Sequence, residues 1–123
     1  IIDNAEKALV VACSKTGAVI HEYTAAPLHK DSDMTHQWLI EFEKPPADME
    51  FFREAFDNAL KSLNSDYEAK RYQNLILKSP VVISVPGGTF YKWMKKRDKL
   101  GGQNKVPRLS NDREYVDDIL EML

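Results

Sequence analysis

Eight residues near the C-terminal end carry the densest chemical signal: Gly101-Gly102-Gln103-Asn104-Lys105-Val106-Pro107-Arg108. Gly101 and Gly102 give backbone freedom that other residues lack, and Pro107 stiffens the chain on the far side of the loop. Between them a short polar stretch presents Lys105. A lysine carried on such a loop is a mobile point charge, suited to phosphate and able to reach a site on another domain. Gln103 and Arg108 flank it. The loop comes after Lys95, Lys96, Arg97 and Lys99, so six cations lie close in sequence against one carboxylate, Asp98. The negative C-terminal end of a helix accounts for Lys95 to Lys99. It does not account for Lys105 and Arg108, which lie beyond the expected helix.

Other chemistry finds little support. His21, His29 and His36 are scattered over two expected strands and a loop, without HExxH or Cys/His spacing, so no metal site is expected. Cys13 falls on a face of small apolar residues and reads as a structural thiol. Ser84 and Ser110 lack the G-x-S-x-G setting of a hydrolase. Pro86-Gly87-Gly88-Thr89 leads from a strand into a helix, where backbone N–H groups could hold an anion. It lacks the Lys-Ser or Lys-Thr of a phosphate loop, so a turn with Thr89 as helix cap is the plainer reading. Lys70 and Arg71 beside Asp66 and Glu68 read as a solvated, ion-paired helix face.

The elements that must position the loop are read from periodicity. A helix runs from an Asp3 cap to Gly17, with Ala5, Ala8, Leu9, Ala12 and Cys13 on one face. Strands are expected over Val19–Ala26 and His36–Glu43, separated by a polar loop from Pro27 to Thr35 and paired antiparallel. Asp48 opens a long helix with a stripe of Phe52, Ala55, Phe56, Ala59, Leu60 and Leu63. Ser65 with Glu68 suggests a capping box for a short helix to about Gln73. Val81–Val85 is a β-branched run suited to a buried strand. A helix from Thr89 should end at Gly101-Gly102, and Ser110 should cap a last one. The expected class is α+β: a small mixed β-sheet with helices mainly on one face.

The 123 residues make one domain, residues 1–123, with 43% apolar and 29% charged residues. A net charge of −2 speaks against a general nucleic-acid binder. A single cysteine allows no internal disulfide and suits a reducing, cytoplasmic setting. No apolar run approaches the roughly 20 residues of a membrane span. The opening at Ile1-Ile2, without an initiator Met, suggests a piece of a longer chain.

Several segments, taken in order, resemble the C-terminal domain of the Gretchen Hagen 3 family, the auxin-responsive acyl-acid amido synthetases first known from plants. Gly88-Thr89-Phe90 with Met94 resembles the family's Gly-Thr-Phe helix start. Gly101, Gln103, Lys105, Pro107 and Arg108 resemble its Gly…Gln-x-Lys-x-Pro-Arg signature. Leu63-Asn64-Ser65-x-Tyr67 with Arg71, and the strand beginning at His36, fall where similar family segments fall. Asn104 departs from the aromatic residue found there in plant members, and Leu109–Arg113 is closer to bacterial members.

The resemblance implies the small mobile domain of an adenylate-forming ligase. Such an enzyme joins a carboxylic acid to ATP, with Mg2+, and then passes the acyl group to an amino acid. Lys105 would serve the adenylation step, with Gln103 and Arg108 as weaker substrate-binding candidates and Gly101, Gly102 and Pro107 setting loop geometry. The acyl and nucleotide pockets would belong to a large N-terminal domain, the partner of this one; this chain alone would bind no cofactor. The alternative from a different class is a ferredoxin-like regulatory or binding module without catalysis. An RNA-binding version would need aromatic and basic residues on its central strands, and Val81–Val85 has neither.

Overall fold

The computed structural model describes residues 2–102 and 104–123, with Ile2 described by its backbone only. The elements are α1 (Ile2–Thr16), β1 (Val19–Lys30), β2 (Asp33–Lys44), α2 (Met49–Leu63), α3 (Ser65–Arg71), β3 (Val81–Val85), α4 (Thr89–Lys96) and α5 (Glu114–Glu121), with a short 3-10 turn at Tyr72–Asn74. The strands form one sheet in the order β1-β2-β3. β1 pairs with β2 antiparallel, placing Ala25 opposite Trp38, and β2 pairs with β3 parallel, placing Leu39 opposite Ile83. This is the expected α+β class with a mixed sheet, and its ββ…β order differs from the βαββαβ order of a ferredoxin-like module.

Successive strand residues point to opposite faces, and in β2 both faces are buried. Trp38 and Ile40 join Tyr23 and Ala25 in a core with Ala5, Ala8, Leu9 and Ala12 of α1 and Phe52, Phe56 and Leu60 of α2. Trp38 meets Phe56 edge-on at 4.8 Å between ring centroids. Leu39, with Ala26 and Val85, faces a second core made by Phe90, Trp93 and Met94 of α4 and Val116 and Ile119 of α5. The expectation of helices mainly on one face is therefore corrected. Alternation along one strand reports two faces but not that a second helix layer covers the far one.

The first two strands are longer than expected, and the polar loop of 27–35 is instead a tight hairpin. Asp31, at φ 57°, turns the chain between Lys30 and Asp33. Pro27 lies within β1, opposite His36. It is tolerated there because Ala25 turns its N–H and C=O away from β2, and the backbone of residue 27 faces the same way two positions on. The missing donor thus falls on the outer edge of the sheet.

Other helix starts also differ from expectation. α1 already includes Asp3, so Asp3 lies in the first turn. α3 is capped by Asn64, whose side chain accepts from Tyr67 N–H. α5 begins at Glu114 rather than after Ser110. Ser110 is occupied elsewhere: its N–H donates to Ala25 O at the sheet edge.

Candidate functional site

The loop that carries Lys105 is built from both ends, beginning with α4. Pro86-Gly87-Gly88 turns the chain, and Gly88 takes the N-cap position at φ 87°, which glycine adopts without steric cost. The backbone N–H groups of Gly88 and Phe90 each donate at 3.1 Å to the carboxylate of Glu41, itself 5% exposed. The anion that this helix start attracts is thus a side chain of the same domain. Thr89 is not the cap; its hydroxyl donates to Pro86 O at 2.6 Å.

At the other end, α4 stops at Lys96, well before the two glycines expected to stop it. Asp98 takes a left-handed conformation at φ 58°. Its N–H donates to Lys95 O, and that of Lys99 to Met94 O. This pair of reversed bonds is the Schellman closure of a helix, here with aspartate where glycine is commonest. An aspartate at this position tolerates positive φ, which the composition cue of Gly-Gly concealed. Gly101 and Gly102, at φ 73° and 61°, then bend the loop itself. Asn104 closes the bend, its side-chain amide donating to Gly101 O at 3.3 Å. Gln103 lies outside the described residues.

Beyond Lys105 the chain is fastened. Val106 is buried in the second core. Pro107 O accepts from the hydroxyl of the fully buried Thr24 at 2.5 Å. Arg108 O accepts from Ala25 N–H at 2.9 Å, and Leu109 makes a parallel bridge to Ala25, adding a short strand-like stretch to the open edge of β1. The Arg108 guanidinium lies 4.6 Å over the Tyr23 ring, with Nε 2.8 Å from Glu22 and Nη1 3.6 Å from Glu6. These contacts belong to its own domain. Arg108 ties the loop down rather than reaching outward.

Lys105 is exposed between these anchors and lines an open groove of about 590 Å³, shared with Lys99, Asn104, Tyr91 and His21. Neither Lys99 nor Lys105 has a carboxylate within 4.0 Å among the described residues, nor do Lys92 and Lys95, whereas Lys96 and Arg108 do have partners. Lys96 pairs with Asp118 at 3.1 Å, and Arg97 sits between the rings of Trp93 and Tyr115. Lys99 lies just past the end of α4, where its N–H donates to Met94 O and the negative pole of the helix still favours a cation.

The remaining candidates read as structure. Burial, and then Lys70, push the His36 imidazole below its usual value. His21 lies on the exposed surface 3.7 Å from Glu43. Burial raises the Cys13 thiol, away from nucleophilic thiolate. Among the described residues no group of three or more His, Cys, Asp or Glu could hold a metal ion, and no helix is long and apolar enough to cross a membrane. Arg71 is a correction: it is buried, not on a solvated face, and its guanidinium binds Asp57 at 2.6 and 2.9 Å. Tyr67 donates its hydroxyl to the same carboxylate at 2.6 Å. Lys70 does pair with Asp66, at 3.1 Å.

A model of the GH3 family C-terminal domain matches residues 3–114. The chain belongs to this family. Among solved structures it is similar to AtGH3.15 acyl acid amido synthetase in complex with 2,4-DB, with a TM-score of 0.77 at 16% identity over 97% of this chain. A second structure, described as GH3.15 acyl acid amido synthetase, gives a TM-score of 0.75 at 17% identity over 97% of this chain. The chain spans about a quarter of each, 23% and 24% of their lengths. At this identity the likeness establishes the fold. No curated protein matches the chain.

Proposed function

We propose that this GH3 domain is the small mobile part of an ATP-dependent acyl acid amido synthetase and that it supplies Lys105 to the adenylation half-reaction. One observation carries the reading. Lys105 is an exposed cation without a carboxylate partner among the described residues, held at the tip of a loop whose far side is fastened to the sheet edge through Thr24, Ala25 and Tyr23. A lysine that merely solubilised the surface would need no such scaffold.

In the first step a carboxylate oxygen attacks the α-phosphorus of ATP. The bond from that phosphorus to the bridging oxygen breaks, giving an acyl-adenylate and pyrophosphate. Negative charge builds on the α-phosphate oxygens as the carboxylate approaches. A preorganised ammonium stabilises it most in a closed, water-poor site. In the second step an amino acid amine attacks the acyl carbon and AMP leaves. A lysine on a swinging domain can withdraw before that attack. The large N-terminal domain, the partner in this reading, would supply the acyl and nucleotide pockets. Mg2+ would arrive with ATP; the described residues offer it no ligand set, and no step here is routed through it. A cytoplasmic location suits substrates of this kind.

The test separates the half-reactions in the full-length enzyme. Lys105→Ala should slow adenylate formation and leave aminolysis of a supplied acyl-adenylate far less affected. Equal loss in both would contradict the assignment.

A further inference from the structure

Lys99 is a groove cation just past the C-terminal end of α4, without an ion pair among the described residues. Had α4 continued, residue 99 would stand one turn above Lys95 and Lys96, on the flank where Lys96 meets Asp118. The left-handed Asp98 prevents this. It ends the helix and turns Lys99 into the groove that Lys105 lines from the opposite limb of the loop.

The groove lining carries three permanent cations, Lys99, Lys105 and Arg108, and two carboxylates, Glu6 and Glu22. Both of these carboxylates lie on Arg108, Glu22 at 2.8 Å and Glu6 at 3.6 Å. Two ammonium groups remain on the two limbs, with no carboxylate within 4.0 Å among the described residues. An ammonium is a compact charge that suits phosphate without demanding bidentate geometry. Two of them across a bend fit an extended polyanion better than a single phosphate or a carboxylate.

We propose that Lys99 is a second substrate-binding cation of this groove and grips the β,γ end of the ATP triphosphate, which leaves as pyrophosphate, while Lys105 serves the reacting α-phosphate. This rests on the function proposed above. When the bond to the α-phosphorus breaks, the electron pair stays on the bridging oxygen and the departing pyrophosphate gains charge. Lys99 holds that charge, so it acts on the nucleotide and pyrophosphate and not on the acyl acid.

The experiment is ATP–pyrophosphate exchange by the full-length enzyme with a carboxylic acid panel. Lys99→Ala should raise KM for both ATP and pyrophosphate roughly tenfold, the worth of one charge-assisted hydrogen bond. KM for the acid should stay as in the wild type, and Lys99→Arg should recover most of the loss. Lys92→Ala, an exposed lysine of α4 outside the groove, should change none of these. A Lys99→Ala variant with wild-type KM for ATP and pyrophosphate overturns the inference, and so does a rise in KM for the acid alone. If the wild type exchanges with no acid, the proposed function fails on its own account. The lysine pair is then judged by titrating inorganic pyrophosphate into this chain. Saturable amide shifts at Lys99 and Lys105 that weaken in Lys99→Ala support it, and their absence from the wild type overturns it.

Discussion

The guanidinium of Arg108 rests 4.6 Å over the ring of Tyr23, three positions along the chain from the exposed Lys105. A cation over an aromatic face contributes about 0.5–1 kcal/mol at a partly exposed site, and the stem packs as well. Arg108→Ala should therefore lower stability by about 1 kcal/mol in denaturant unfolding. Tyr23→Leu, which keeps an apolar wall and removes the quadrupole, should lose part of this. If Arg108→Ala leaves the unfolding midpoint unchanged, Arg108 does not hold the loop.

Glu41 should behave as the cap of α4. Removing its two acceptors in Glu41→Ala leaves the Gly88 and Phe90 N–H groups without their partner. The expected cost is about 1–2 kcal/mol, with Glu41→Gln losing less because it keeps one acceptor oxygen. A midpoint of Glu41→Ala equal to that of the wild type would show that solvent satisfies the helix start as well.

Asp57 and Arg71 set an acid limb on stability. Burial pushes the Asp57 carboxyl up, but hydrogen bonds from Arg71 and Tyr67, with the Arg71 charge, outweigh it and hold the group below its usual value. The folded value lies under the unfolded one, so the stabilisation is complete above the ordinary carboxylate value, about 4, and fades as pH falls through the lower folded value. Asp57→Asn should flatten this acid limb. At neutral pH it should cost about 3–5 kcal/mol, because it leaves Arg71 buried beside a weaker partner. An unchanged stability–pH profile in Asp57→Asn would contradict the pairing.

The purified 123-residue chain should show no acid-dependent ATP–pyrophosphate exchange. Its groove is open and offers cations but no second wall to orient two substrates, and orientation is a large part of catalysis. Exchange by the chain alone would mean that the other half of the site is not needed.

Periodicity made the sheet and the longest helix legible, because Phe52, Ala55, Phe56, Ala59 and Leu60 recur at helical spacing and Val81–Val85 is rich in β-branched residues. The ends of elements were less so. Asp98 ends α4 through a backbone angle that its residue type allows but does not announce. The candidate loop was legible only in part. Lys105 stood out by its setting between Gly-Gly and Pro. Thr24, Tyr23 and Glu41, which fix the loop and its helix, act on partners far away in sequence and leave no local mark. Arg71 misled for the same reason: its near neighbours Asp66 and Glu68 are acidic, yet its partner is Asp57, on another helix.

The measurement that bears most directly on the central claim is the rate of each half-reaction in full-length Lys105→Ala. Adenylate formation should fall by about 10²–10³, the usual effect of removing one preorganised charge contact to a transition state. Aminolysis of a supplied acyl-adenylate should fall far less, and stability should stay within about 0.5 kcal/mol, as for other exposed side chains. Lys92→Ala is the control. If Lys105→Ala forms adenylate as fast as Lys92→Ala, Lys105 is an ordinary surface lysine. If both half-reactions fall equally, it joins the domains and does not serve the adenylation step.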